Sequence, residues 1–314
     1  MSPSPHSRSN LNQTLRLGTR RSPLAMAQAE EARDRLLAAH PGLAIEIVPV
    51  TASGDKIQDR PLAEIGGKAL WTKELDAWLL SNEIDLAVHS LKDVETIRPD
   101  AIAIAAILPR EDVRDVLVGA GSLADLPAGS RIGTSAPRRA AQMLNQRPDC
   151  TVVQFRGNVQ TRLAKLEAGE ADATLLAAAG LSRLGQMAVG TPLAVDEWLP
   201  APGQGAIAIE CRTNDATTRA LLAAIDDQPS RHAVMAERAL LEALGGNCHS
   251  AIGVHTLAEG GQLVMRAALY SPDGATRIDG EARFAAGDTQ GPAALAHDLL
   301  DRSPQTIRAL FTGG

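Results

Sequence analysis

Short apolar runs alternate with stretches of helical period along most of the chain. LRL (15–17) and LAIEIVPV (43–50) read as strands, and SPLAMAQAEEARDRLLAAH between them has helical spacing. Ser22 is placed to cap that helix, with Pro23 at its first position. A strand, a helix and a strand in this order predict a βαβ unit, hence a parallel sheet. TASGDKIQDRPLAEIGGK (51–68) is polar and glycine-rich, a long loop of the kind that carries function. ALWTKELDAWLL (69–80) then sets Trp71, Leu75 and Trp78 on one helical face. IDLAVHS (84–90) is an apolar strand that stops at His89-Ser90-Leu91-Lys92-Asp93, and AIAIAAIL (101–108) is another buried strand. Ligands of open α/β sheets gather at the carboxyl ends of strands, which makes the polar groups of HSLKD candidates.

The stretch REDVRDVLVG begins a crossing into a second lobe that repeats the theme. RIGTS, TVVQF and ADATLLAAAG read as its strands, APRRAAQMLNQR and VQTRLAKLEAGE as its helices. Thr134 and Ser135 stand where a helix begins, with Pro137 in its first turn and Arg138 and Arg139 directly after. Arg156 lies just past a strand end and Arg162 a turn into the next helix. PAPGQGAIAIECR reads as a returning strand. From there the pattern changes: SRHAVMAERALLEALGG is a helix stopped by Gly245 and Gly246, and AIGVHTLA, QLVMRAALY and TRIDGEARF are strands joined by Gly-Gly and Asp-Gly turns. GPAALAHDLLDR closes an α+β domain. The expected fold class is two α/β lobes with parallel sheets plus a small C-terminal domain with an antiparallel sheet. Its expected boundaries are a disordered tail at 1–10, a first lobe of 11–108 with 204–222, a second lobe of 109–203 and a third domain of 223–314.

Only 2% of the residues are aromatic, so aliphatic side chains must fill these cores, and single-stranded nucleic acid would find few stacking platforms. The net charge of −6 is uneven: residues 131–185 hold eight Lys or Arg against four acids, which leaves −10 for the rest. A basic middle in an acidic chain points to a local anion site. No stretch approaches the length of an apolar membrane span, and the amino-terminal residues have no apolar leader core, so a cytoplasmic location is expected. Cys150, Cys211 and Cys248 are odd in number and widely spaced, and neither CxxC nor HExxH occurs; disulfides and a metal site are not expected.

Cys248 in LGGNCHSAIG (244–253) has two readings. A free cysteine is commonly a small buried hydrophobe. A cysteine in a loop behind a glycine-stopped helix is less suited to core packing, and His249 beside it offers a base. The arginines are either solvated helix surface or ligand groups. Arg20, Arg138, Arg139, Arg156, Arg162 and Arg183 lie beside Gly, Ser or Thr at strand ends and helix starts, which favours a polycarboxylate or phosphate ligand. Asp93 either pairs with Lys92 on the surface or serves a site. Gly66-Gly67-Lys68 is no Walker loop and GLSRL (180–184) no nucleophile elbow.

HSLKD (89–93), GTSAPRR (133–139), FRGNVQTRL (155–163), AAAGLSRLG (177–185), PGQGAIAIECR (202–212) and GGNCHSAIG (245–253), in this order, resemble the porphobilinogen deaminase (hydroxymethylbilane synthase) family. The resemblance implies two lobes similar to type II periplasmic binding proteins and a third domain. It implies a dipyrromethane cofactor, made from the substrate and tethered through a thioether to the cysteine of the GGxC loop, here Cys248. It further implies head-to-tail condensation of four porphobilinogen molecules with loss of ammonia, then hydrolytic release of the linear tetrapyrrole by a cytoplasmic monomer that needs neither nucleic acid nor membrane.

Carried over residue by residue, the resemblance makes Asp93 the catalytic carboxylate. Lys92, Asp93, Thr134, Ser135, Arg138, Arg139, Arg156 and Gly157 would hold the cofactor. Arg20, Ser22, Arg156, Arg162, Arg183 and Gln204 would bind substrate or the elongating chain, and Lys68 would sit on a mobile lid. The chain departs from the family pattern at Glu64, Ala69, Trp71, Ala136, Pro137 and Ala251, where Ala136 removes a hydroxyl from the cofactor site. Two other readings use the same residues: a two-lobed anion binder without chemistry, which leaves Cys248 unexplained, and a Cys-His hydrolase, which leaves the arginines incidental.

Overall fold

A computed structural model describes residues 14–50, 69–246 and 250–311. The expected tail, Glu64 and Lys68 of the loop, and Cys248 with His249 lie outside the described residues.

The first lobe is built from β1 (Leu15–Arg20), α1 (Pro23–Ala39), β2 (Ile45–Val50), α2 (Ala69–Leu80), β3 (Leu86–Ser90) and β4 (Ile102–Ile107). Ser22 caps α1 by accepting from the Ala25 amide at 3.4 Å, with Pro23 first in the helix, as the sequence predicts. The second lobe holds β5 (Asp115–Val118), β6 (Arg131–Gly133), α3 (Pro137–Gln146), β7 (Thr151–Val153), α4 (Val159–Glu167), β8 (Ala173–Ala177), α5 (Ala178–Arg183) and β9 (Thr191–Pro192). Next come β10 (Ile207–Arg212), α6 (Ala216–Ala223), α7 (Gln228–Ala243), β11 (Ile252–Glu259), β12 (Gln262–Tyr270), β13 (Arg277–Phe284), α8 (Gln290–Arg302) and α9 (Gln305–Arg308).

The sheets are mixed, which corrects the expectation of purely parallel ones. The first has the order β2-β1-β3-β10-β4 and the second β7-β6-β8-β5-β9. β1, β2 and β3 are parallel, as are β6, β7 and β8, but β10 runs against β3 and β4, and β5 against β8 and β9. Each antiparallel strand is the one that arrives from the other lobe. It enters at the edge where the parallel strands end, so it must run back against them. The carboxyl ends of the parallel strands therefore border the two crossings.

The crossings touch. The Glu111 amide donates to the Gly205 carbonyl at 3.3 Å and Arg110 Nε to the Gln204 carbonyl at 2.9 Å. Gly205 has φ +87°, and a Cβ there would lie 2.4 Å from the Glu111 carbonyl oxygen. The third domain is the antiparallel sheet β11-β12-β13 with a Gly260-Gly261 turn at positive φ. Leu240 of α7 and Leu295 and Leu299 of α8 cover it.

Aliphatic side chains fill the lobe cores: Leu17, Leu36, Leu86 and Ile209 in the first, Leu117, Ile132 and Leu175 around Trp198 in the second. Cys150 and Cys211 are buried among them as small apolar residues, and burial raises the Cys211 thiol to about 11. Two details depart from the sequence reading. The apolar AAAG after β8 is helical from Ala178, and α6, capped by Asp215 on the Thr218 amide at 3.0 Å, was not anticipated.

Gly205→Ala should destabilise the chain by about 2 kcal/mol or more, because backbone strain and the carbonyl clash add. Gly287→Ala is the control, since Gly287 has φ +85° with nothing near its would-be Cβ. Equal midpoints for the two variants in urea unfolding would show that the packed crossing contributes nothing.

Candidate functional site

The carboxyl ends of the parallel strands carry most of the candidates. Arg20 is the last residue of β1 and Ser22 opens α1. Ser90 ends β3, exchanging hydrogen bonds with Gln28 at 2.8 and 3.1 Å, and a single 3-10 turn, Leu91–Asp93, presents Lys92 and Asp93. In the second lobe Thr134 and Ser135 follow β6, Arg138 and Arg139 stand in the first turn of α3, and Arg156 and Gly157 follow β7. Arg162 lies in the first turn of α4, its Nε donating to the Gly157 carbonyl at 3.1 Å, and Gly157 has φ +115°. Ala136 has no side chain with which to cap α3; the Thr134 hydroxyl instead accepts from the Ala136 amide at 3.1 Å, and Pro137 brings no amide hydrogen.

The lobes meet across this edge. Arg183 at the end of α5 donates through Nε to Glu31 of α1 at 3.2 Å and through Nη2 to the Gly205 carbonyl at 3.1 Å. Arg162 responds to both lobes: desolvation first, and Arg139 after it, bring its guanidinium down to about 10, against the opposing pull of Asp93. Asp93 of the first lobe and the cations of the second thus share one field.

Arg138 and Arg139 do not stand on a surface. Both are buried around Asp115, which is 0% exposed. Arg139 donates to Asp115 Oδ1 through Nε at 3.2 Å and Nη2 at 2.7 Å, and Arg138 Nη1 lies 2.7 Å from Oδ2. The Trp198 indole donates to Oδ2 at 2.8 Å and Gln204 Nε2 to Oδ1 at 2.8 Å. The two guanidiniums outweigh desolvation and hold the Asp115 carboxyl far below its ordinary range. Arg138 Nη1 also reaches the Leu199 carbonyl at 2.8 Å and Arg139 Nη1 the Leu175 carbonyl at 2.7 Å, while Arg138 Nε is buried with no hydrogen-bond partner among the described residues.

Gln204 is also fully buried. Its Nε2 donates to the Val113 carbonyl at 2.8 Å as well as to Asp115, and its Oε1 accepts from Lys92 Nζ at 3.3 Å. It therefore reaches the strand-end candidates through Lys92 and not by an exposed face of its own. Behind the 3-10 turn, Glu210 of β10 takes Arg98 Nε at 2.8 Å and Nη2 at 2.9 Å, with His89 Nε2 3.2 Å away. These partners outweigh the burial of Glu210 and hold it down at about 2. Asp115, Trp198 and Glu210 escaped the sequence reading, since nothing in their local spacing distinguishes them from ordinary strand and loop residues.

Two guanidiniums against one carboxylate leave a net positive charge. A buried Nε without a partner beside them suits an anionic group carrying several carboxylates, so the residues fit the cofactor implied by the sequence. Among the described residues no cluster of His, Cys, Asp and Glu could hold a metal ion, and no helix is long and apolar enough to cross a membrane.

Comparison with known proteins gives a consistent result. Residues 15–220 match the family model described as "Porphobilinogen deaminase, dipyromethane cofactor binding domain", and residues 232–301 match "Porphobilinogen deaminase, C-terminal domain". A porphobilinogen deaminase of Sphingopyxis alaskensis is 56% identical over 306 residues, 95% of this chain and 96% of the relative. That of Nitrobacter winogradskyi is 50% identical, with 95% and 96% covered, and that of Paracoccus denitrificans 49%, with 92% and 95% covered. The likeness to solved structures is looser: the periplasmic VFT2 domain of Bordetella pertussis BvgS is 16% identical with a TM-score of 0.39, covering 68% of this chain and 86% of its own.

The buried carboxylates make stability depend on acid. A carboxylate held lower in the folded than in the unfolded state stabilises the fold above its unfolded value and loses that contribution as pH falls toward the folded value. For Glu210 the window runs from 4.5 down to about 2 and is worth on the order of 3 kcal/mol. Asp115 shifts in the same direction. Urea midpoints should therefore fall steadily through that window, and Glu210→Gln should give a lower but flatter profile. An equally steep profile in the variant would remove Glu210 from this account.

Proposed function

The chain belongs to the porphobilinogen deaminase family, and from that premise we propose how its residues share the work. Its activity is the family's transferase reaction in tetrapyrrole synthesis. Four porphobilinogen molecules are condensed head to tail onto a dipyrromethane cofactor with release of ammonia, and hydroxymethylbilane is then freed by hydrolysis. The observation that carries the division of roles is one acid from the first lobe, Asp93 in the turn behind β3, facing the helix starts of the second lobe that carry Arg139 and Arg162, the latter within its field.

Cys248 carries the cofactor through a thioether in this reading, and Arg138, Arg139, Lys92, Thr134 and Ser135 hold its carboxylate side chains. When bound, the dipyrromethane supplies a nucleophilic pyrrole carbon and a fixed starting point for the condensations. Arg20, Ser22, Arg156 and Arg162 receive the acetate and propionate of each porphobilinogen, since planar guanidinium forks match carboxylates. The Asp93 carboxylate stabilises positive charge as ammonia leaves and moves protons at its Oδ atoms. Arg162, although lowered to about 10, stays cationic at neutral pH, and its charge faces the Asp93 carboxylate across the lobes. Arg183, anchored on Glu31, guides the lengthening product, and tethering prevents its loss between additions. The same reading has the chain act as a cytoplasmic monomer, with no part for nucleic acid or membrane.

Intact-mass measurement tests the anchor. The purified chain should exceed its sequence mass by two pyrrole units, and Cys248→Ser should lack the excess; an unmodified but active chain would refute the assignment. Asp93→Asn should retain the adduct while turnover drops by about 100-fold or more, the usual scale for a general acid or base. Ordinary turnover in that variant would move the proton chemistry elsewhere.

A further inference from the structure

Asp115 opens β5, where the chain first enters the second lobe, and it has no solvent contact. Two guanidiniums and the Trp198 indole, all from its own lobe, already surround its oxygens. A carboxylate that merely completed a core would need nothing more. Yet Oδ1 also takes Gln204 Nε2, and Gln204 belongs to the return crossing between the lobes. The Gln204 amide nitrogen is divided between Asp115 and the Val113 carbonyl, both at 2.8 Å. With both donors held, the amide plane is fixed and its oxygen has one direction left, toward Lys92 Nζ at 3.3 Å. Lys92 and Asp93 are consecutive in the 3-10 turn, and the Leu91 amide that starts the turn donates to the Ala206 carbonyl on the same crossing at 3.0 Å.

We infer that Asp115 is a positioning residue for the reaction: it orders the Arg138–Arg139 pair directly and the Lys92–Asp93 turn through Gln204. One buried carboxylate thereby holds the acid of the first lobe in register with the cations of the second. Asp115 touches neither substrate nor cofactor. The inference rests on the family activity and on Asp93 as the working acid.

Gln204→Leu isolates the outer arm, because it exchanges one neutral side chain for another and leaves Asp115 its two guanidiniums and the indole. The adduct mass should persist, kcat should fall about tenfold, the worth of a hydrogen bond to a charged group, and KM should stay within about twofold. A rise in KM at constant kcat would make Gln204 a direct substrate contact and overturn the proposal, as would unchanged kinetics. Asp115→Asn tests the inner arm: a larger share of the purified chain should lack the two-pyrrole mass, and a fully loaded variant with parental kcat would overturn the proposal. If Asp115→Asn does not fold, Gln204→Leu decides. The parent chain separates this proposal from the reading beneath it, since an unmodified parent would refute the cofactor assignment, whereas a loaded parent with an indifferent Gln204→Leu refutes Asp115 alone.

Discussion

Glu237 lies within α7 with no exposed surface and receives donors from every part of the molecule that must be aligned. Arg110, on the first crossing, clamps its two oxygens at 2.8 and 2.9 Å. The Gly203 amide on the return crossing donates at 2.7 Å and the Thr256 amide of β11 at 3.1 Å. Breaking such a pair leaves an uncompensated buried charge, at a penalty of about 3–5 kcal/mol. The gain in stability over an apolar core is small, but the geometry admits little variation. Through Arg110 Nε on the Gln204 carbonyl, the clamp fixes where the return crossing passes the carboxyl ends of the strands.

Around Asp93 the polar burial takes two forms that meet at one short turn. From the return crossing comes the neutral arm of Gln204. From below, Glu210 gathers His89 and Arg98, which bracket the turn four residues before and five after Asp93. Arg98 also binds Glu95 and Asp76, and Arg238 of α7 donates to the Glu95 and Thr96 carbonyls at 2.7 and 2.8 Å. A three-residue turn has almost no hydrogen bonding of its own. Its position is imposed by neighbours, which fits the role proposed for Asp93, since an acid that meets developing charge must be held at a fixed place.

The sequence disclosed what is local. Strand and helix periods, the Ser22 cap, the Gly260-Gly261 hairpin and the placement of arginines behind strand ends are all properties of neighbouring residues. Strand direction is not, so the segment of β5 reads only as a crossing and β10 as a returning strand of no stated direction. Nor can an apolar AAAG declare itself strand or helix, since both bury small residues. Asp115 was invisible for a plainer reason: Gln204 lies 89 residues away and Trp198 83. A carboxylate in REDVRDVLVG has no local mark of the guanidiniums that will surround it. The family resemblance supplied roles for Arg138 and Arg139, but not the acid between them.

That acid resolves a difficulty in gathering cations at all. Burial penalises a guanidinium's charge and a neighbouring guanidinium repels it, and both act, burial the more, in the lowering of Arg138 and Arg162. A cleft lined only with unpaired arginines would resist folding until an anion arrived. Here several of the cations have a resident counter-charge, Asp115 for Arg138 and Arg139 and Glu31 for Arg183, and Asp93 acts on Arg162 electrostatically. The positive excess that remains is small, and it stands in a protein whose net charge is −6. The charge of the buried arginines is thus balanced within the protein by a few carboxylates, of which Asp115 is shared by two arginines.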